Sequence, residues 1–302
     1  MRIAIAGGSG FVGNALAENL LEKGHELFIL TRNAANKHHH SKNLQYVQWL
    51  NKEDSPEDEL EGIDVLINLA GESINSGRWT PERKKRILNS RLTATKEVLR
   101  IISRLEEKPY TLINASAVGY YGTSENETFD EDSKSRGSDF LSETVKCWEM
   151  EASKAEEWEV RTVFCRFGII LDKNEGALPR IALPYKFFAG GTVGSGNQWV
   201  SWIHLKDVVK GILFCIEQEY LEGPVNFTAP NPVKMKVFGQ ILSEVLSRPH
   251  WIPAPEFALK IILGEMSALV LEGQKALPGK LEAYGYNFLF TDLKTALTDI
   301  YS

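Results

Sequence analysis

Residues 4–32, "AIAGGSGFVGNALAENLLEKGHELFILTR", are the part of the chain from which its architecture can be read. An apolar run ends at Ala6 and meets a loop with glycine at positions 7, 10 and 13. Apolar residues then recur at helical spacing through Leu16, Leu20 and Leu21 as far as Gly24, and a second apolar run, Leu27 to Leu30, follows. The order is strand, glycine loop, helix, strand. In that context the glycines have distinct roles. One permits the tight turn, another lets the backbone approach a pyrophosphate, and Gly13 lets helix and strand pack closely. The helix that starts there turns free N–H groups and a partial positive charge toward bound phosphate. A merely tight turn is the simpler alternative, and the strand–helix context speaks against it.

A site that selects NAD(H) usually carries Asp or Glu at the end of the second strand, where it binds the ribose 2′-hydroxyl. Here the strand ends in Thr31-Arg32-Asn33. A hydroxyl and a guanidinium suit a 2′-phosphate, so NADP(H) is favoured over NAD(H). The plainer reading of Arg32 as an ordinary surface arginine sits less well with its place at the strand end.

Along the first half of the chain, "RIAIAG", "HELFILTR", "DVLINLAG", "YTLINASA" and "VRTVFCRFG" read as five strands, separated by at least three segments of helical spacing. Alternation of this kind predicts an α/β fold, a Rossmann-type doubly wound parallel sheet. Residues 1–171 are expected to form the NADP(H)-binding domain, joined by 195–225, and 172–302 a smaller, intimately packed C-terminal α/β lobe on the substrate side with a C-terminal helical module. The polar segment 33–58 holds a weak strand, "LQYVQWL", and three consecutive histidines, His38 to His40. Without acidic or cysteine partners at fixed spacing these read as a solvated loop, and no metal site is expected.

The 302 residues are 43% hydrophobic, enough for a sizeable core. A net charge of −6 gives no basic field for nucleic acid or an anionic membrane. No apolar run reaches the ~18 residues of a membrane span, and the opening residues run straight into a strand instead of forming a signal peptide. A cytoplasmic protein is expected. Three cysteines, Cys147, Cys165 and Cys215, suggest neither a disulfide framework nor a zinc site.

The glycine loop, "NLAG" at 68–71, "ASAVGYYG" at 115–122 and "GSGNQWVSWIHLKDVV" at 194–209 resemble the extended short-chain dehydrogenase/reductase family. With "NLAGESI", "SRLTAT", "FLSETVKCWE", "EGALP" and "WIPAP", the whole chain is similar to an atypical NAD-dependent epimerase/dehydratase-like group of that family, the SDR39U1- or YfcH-type epimerase family proteins with a C-terminal DUF1731-like module. The resemblance implies that Gly7, Ser9, Gly10, Phe11, Val12 and Gly13 line the pyrophosphate and Thr31 and Arg32 the adenosine phosphate. It puts Leu69, Ala70 and Gly71 on the adenine-ribose side, makes Arg91 a further cofactor contact and sets Ile169 near the nicotinamide. Strand ends line the crevice of a doubly wound sheet, so the residues themselves agree for Leu69 to Gly71; read alone, Arg91 is an exposed helix arginine.

Active members of that family use a tyrosine as acid/base and a lysine four residues later. A phenol with a pKa near ~10 is a poor base at neutral pH without a neighbouring cation. In register with Trp148-Glu149, those two positions are Leu141 and Val145, and no Tyr-x-x-x-Lys occurs anywhere in the chain. Lys146 is one residue, about 100°, around the helix and should face elsewhere. The family serine falls at Ser116 or Ala117. Ser116, Tyr120 and Tyr121 remain as candidate proton donors, although the two tyrosines equally suit packing or a turn cap. His204 is read chiefly as a support of the fold. Arg166, Arg180 and Lys186 are the basic groups available for a substrate diphosphate, each with a simpler surface explanation.

Two functions follow: an NADP(H)-binding epimerase-like or oxidoreductase-like protein of unconventional mechanism acting on a small-molecule substrate, or a non-catalytic NADP(H)-binding sensor or regulator. A purely structural role is disfavoured by the glycine loop. The basic helix "ERKKRILNSRLTATKEVLR" offers no obvious apolar seam, leaving monomer and homodimer both open.

Overall fold

The computed structural model describes residues 1–35, 37, 41–134 and 137–302, so the His38–His40 run lies outside the described residues. Its centre is a seven-stranded parallel sheet built from β1 (Arg2–Ala6), β2 (Glu26–Thr31), β3 (Leu44–Gln48), β4 (Val65–Asn68), β5 (Thr111–Ala117), β6 (Arg161–Phe167) and β7 (Gly223–Phe227). The spatial order is β7-β6-β5-β4-β1-β2-β3. The order reverses direction at β1, where a doubly wound sheet opens a crevice beyond its strand ends.

Side chains alternate across β1. Ile3 and Ile5 face α1 (Phe11–Glu22), meeting Leu16 and Leu20, while Ala4 and Ala6 face α2 (Pro81–Arg104), meeting Val98 and Ile102. α3 (Phe140–Ala152) packs beside α2, and α4 (Leu205–Glu217) lies beside α1, burying Val208 and Ile212 in the same core. Thr80 starts α2, its hydroxyl accepting from Arg83 N at 3.2 Å, with Pro81 at the first helical position.

The sequence pattern yields five clear strands and one weak one, and the sheet has seven. β3 is the weak "LQYVQWL" strand, an edge strand with only Val47 buried along its five residues, which blurs its apolar signal. β7 follows α4 far along the chain and returns to pair with β6, Val225 opposite Cys165.

The helices Leu178–Lys186, Met235–Leu246 and Leu293–Tyr301 enclose a further core around Trp202, Phe238 and Leu297. Asp207 joins that region to α4. Fully buried, it accepts from Leu289 N at 2.7 Å, Phe290 N at 3.0 Å and the Tyr286 hydroxyl at 3.0 Å. Burial raises the Asp207 pKa, and these donors oppose the rise. No helix among the described residues is long and apolar enough to cross a membrane.

Candidate functional site

At the C-terminal end of β1 the chain turns at Gly7, whose φ of +79° favours glycine. A Cβ there would stand 2.8 Å from the Leu69 backbone, so the loops after β1 and β4 touch. A Cβ on Gly13 would stand 2.2 Å from Gly7 O, which is why α1 can begin directly beneath the loop. Gly10 caps α1 with no side-chain hydrogen bond, and no acidic residue occupies the first turn. Ser9 and Gly10 are exposed, Phe11 and Val12 half-buried. The helix terminus therefore keeps its free N–H groups for an anion.

At the end of β2, Thr31 is half-buried and Arg32 exposed. Gln48 grips the chain around Arg32: its Nε2 donates to Arg32 O at 2.6 Å and its Oε1 accepts from Ala34 N at 2.8 Å. The Arg32 guanidinium has no ion-pair partner among the described residues. Gln48 lies one strand away from Arg32, and no local sequence signal marks it.

Beyond β4, Leu69 N donates to Ala6 O at 2.8 Å and Ala70 N to Asn68 Oδ1 at 3.2 Å. Gly71 lies over Arg91, whose Cγ would be 3.3 Å from an added Cβ. Arg91 is far from the free surface arginine its helix suggests. Its Nη1 donates to Ile87 O at 2.9 Å and Glu72 O at 3.1 Å, and the guanidinium lies 5.0 Å from the Trp148 ring centroid. Desolvation lowers its pKa to about 10, against the opposing charge of Glu72.

Next to these strand ends is a cleft of about 370 Å³, walled by the ends of β5 and β6, by α3 and by residues 268–274 of the C-terminal region. Leu141, Val145, Ser116, Arg91 and Ile169 all line it. The positions aligned with the family's tyrosine and lysine thus face the cleft, and both are aliphatic. Lys146 faces away, its Nζ donating to Gly137 O at 2.6 Å and Glu143 Oε1 at 2.9 Å.

Of the three proton-donor candidates, Ser116 alone is on the cleft wall. Its hydroxyl donates to Glu149 Oε1 at 2.5 Å. Glu149 is held by Arg166, whose Nε donates to Oε1 at 2.8 Å and Nη2 to Oε2 at 2.7 Å. Arg166 Nη1 donates onward to the Tyr121 hydroxyl at 3.0 Å, which donates to Asn226 Oδ1 at 2.8 Å. The Tyr120 ring lies 3.5 Å from the same guanidinium. Tyr121 is 1% exposed, and burial pushes its pKa up to about 12 despite Arg166. Burial opposes the charge of Arg166, but the hydrogen bonds and charge of Glu149 outweigh it and hold its pKa above the ordinary guanidinium range. Glu149 is absent from the sequence-based candidates, although its place one turn beyond Val145 on α3 is a signal that could have found it.

His204 caps α4. Its Nδ1 accepts from Lys206 N at 3.0 Å and its ring stacks on Phe290 at 4.2 Å. Nε2 lies 3.3 Å from Asp299 Oδ2 without the alignment of a hydrogen bond. Burial lowers its pKa to about 4, beyond what Asp299 restores. It supports the fold outside the cleft.

Residues 3–145 match the NAD dependent epimerase/dehydratase family, and residues 254–300 match DUF1731, a domain of unknown function. The chain is 51% identical to the epimerase family protein YfhF of Bacillus subtilis (strain 168), over 99% of this chain and 98% of that protein. Among solved structures, the human epimerase family protein SDR39U1 (isoform 2) with NADPH superposes with a TM-score of 0.87 at 30% identity, covering 100% of this chain and 99% of that one. UDP-glucose 4-epimerase of Thermus thermophilus, in complex with NAD, superposes at 0.77 with 17% identity, covering 100% and 99%, a likeness of fold alone.

Proposed function

Because this chain belongs to the epimerase family of NAD-dependent epimerases and dehydratases, we propose that it binds NADP(H) and acts as an epimerase-like or oxidoreductase-like protein that works without the tyrosine–lysine pair. The observation that carries the reading is the uncapped glycine loop facing the crevice, with Arg32 exposed at the end of β2 and free of ion pairs among the described residues. The cradle fits the cofactor: it is closed to any Cβ at Gly7 and Gly13 and keeps the α1 N–H groups free. The NADPH in the human relative's structure supports the same choice.

In this reading the α1 terminus with Ser9 to Gly13 holds the pyrophosphate, and Thr31 and Arg32 hold the 2′-phosphate. Leu69 to Gly71 flank the adenosine side, Arg91 supports them from below, and Ile169 borders the nicotinamide end. Bound there, the nicotinamide supplies hydride transfer. The chain supplies the proton path. We assign it to Ser116 ahead of Tyr120 and Tyr121, since Ser116 reaches the cleft and its hydroxyl is hydrogen-bonded to the Glu149 carboxylate. A cytoplasmic setting and a small-molecule substrate belong to the same proposal.

A second reading, a non-catalytic sensor of NADP(H), is favoured by the aliphatic side chains at 141 and 145. Hydrogen exchange separates the two. A sensor predicts different protection with NADPH and NADP⁺ in segments beyond the cleft and no turnover of any carbonyl compound. The cofactor site itself is tested by Gly10→Glu, a carboxylate at the α1 terminus, which should abolish NADPH binding; undiminished binding would reject the site.

A further inference from the structure

We propose that the cleft beside Ser116 takes an uncharged, largely apolar carbonyl compound or alcohol and not a nucleoside diphosphate sugar. The inference rests on the reading above for what lies beside the cleft, and goes beyond it in naming the substrate class.

Among the described residues, free positive charge is missing from the wall. Arg91 is the one cationic side chain lining the cleft among the described residues, and its guanidinium is committed to the carbonyls of Ile87 and Glu72 and to the face of Trp148. The N-terminus of α3 points here, but Asp139 already fills it, Oδ1 accepting from Leu141 N at 2.8 Å and Ser142 N at 3.1 Å. A helix end that binds phosphates elsewhere is thus occupied by a carboxylate, which repels a second anion. Glu272 adds another carboxylate to the wall, accepting from the Thr123 hydroxyl at 3.3 Å.

The three basic residues that the sequence offers for a diphosphate do not serve it. Arg166 is buried and locked to Glu149, Arg180 Nη1 donates to Asn75 O at 2.6 Å, and Lys186 is exposed at the end of its helix. Neither Arg180 nor Lys186 lines the cleft. Among the described residues a diphosphate would find none of the paired donors that phosphate recognition uses, and burying an unpaired anion is unfavourable.

Much of the remaining wall is apolar: Ile74, Leu141, Val145, Ile169, Trp199 and Leu269. Among its hydroxyls, Ser201 donates to Gln274 O at 2.8 Å, whereas Ser116 gives its proton to Glu149 and keeps lone pairs that can accept from an incoming hydroxyl. A few hydroxyls in a mostly apolar wall, Ser116 and Thr144 among them, are the arrangement that orients a neutral ligand.

The test is ligand-observed NMR on the intact protein with 2-octanone, 2-octanol and UDP-glucose, each near about 1 mM, a concentration that detects weak binding. The octyl compounds should show saturation transfer and UDP-glucose none. Leu269→Glu and Ile74→Glu, both at half-buried positions, should each cut the octyl signal by about tenfold, as burying a carboxylate against an alkyl chain requires, with circular dichroism confirming the fold. UDP-glucose binding to the wild type that weakens in these variants would overturn the proposal. So would octyl binding indifferent to both. NADPH binding, followed separately by fluorescence, reports on the cofactor reading alone; its failure would sink that reading while leaving the octyl-against-sugar comparison to decide this one.

Discussion

Arg32 and Gly13 carry most of the case for the cofactor, and each can be removed by a single change. Arg32→Ala deletes a guanidinium whose backbone is pinned from Gln48. A charged hydrogen bond to phosphate contributes about 1.5–3 kcal/mol, so NADPH affinity should fall by roughly one to two orders of magnitude while NADH affinity stays unchanged. Parallel fluorescence titrations read both. Gly13→Ala puts a methyl group 2.2 Å from Gly7 O, backbone that cannot step aside. It should lower stability by about 1–3 kcal/mol, the usual range for overpacking, and weaken NADPH binding with it, as seen in urea unfolding and titration. These residues are legible in the sequence because their reasons are local: a turn, a helix start and a strand end within 29 consecutive positions. Glu149 and Gln48 are not, since what makes them matter is a partner on another element.

Among the elements, α3 is the helix whose spacing is readable in the sequence and whose surroundings are not. Counting back from Trp148 and Glu149 puts Leu141 and Val145 on one face, and that face meets the cleft. The chain Ser116–Glu149–Arg166–Tyr121–Asn226 ties α3 to β5, β6 and β7 through residues as much as 105 positions apart, a separation no periodicity reveals. Arg166→Met leaves Glu149 as a buried, unpaired carboxylate and should cost about 3–5 kcal/mol, visible as a lower denaturation midpoint. If stability is unchanged, the ion pair is not buried as described.

α4 supplies a pH prediction. The His204 pKa falls from 6.5 to about 4 because burial disfavours its charge. Below pH 6.5 the unfolded chain takes the proton first, so this residue's contribution to stability is lost as pH falls from 6.5 toward about 4. His204→Asn keeps a capping side chain and should flatten the stability profile across that window. A profile as steep as the wild type's would show that His204 is not the group responsible. Glu57 works over a lower range. Hydrogen bonds from Arg100, with help from Arg104, hold its pKa down at about 2 from 4.5, so its contribution is present above pH 4.5 and fades as pH falls toward 2. Glu57→Gln should therefore destabilise at pH 7 and make little difference near pH 2.

In the molecule as a whole, the doubly wound sheet sets the β1 loop and the end of β2 at neighbouring strand ends, while the aliphatic face of α3 lines a cleft at the ends of β5 and β6. The sheet is foreseeable from alternating strands and helices, with its edge strand only a weak signal because one residue of it is buried, apart from a last strand that rejoins from the far side of α4. The C-terminal module is legible in the sequence through its family resemblance, but its packing is not, because that depends on Asp207 reaching residues 286–290. In this chain the loop after β1 keeps the features expected of a cofactor cradle while the cleft wall carries leucine and valine at 141 and 145.

The cofactor reading depends on the chain's holding NADP(H) through Arg32 and the uncapped α1 terminus. The decisive experiment is a titration of the purified protein, shown by mass spectrometry to carry no cofactor, with NADPH and NADH, followed by nicotinamide fluorescence. Saturable binding of NADPH at least about tenfold tighter than NADH, a difference of ~1.4 kcal/mol, is the expected result; equal affinity for the two, or binding of neither, would refute it.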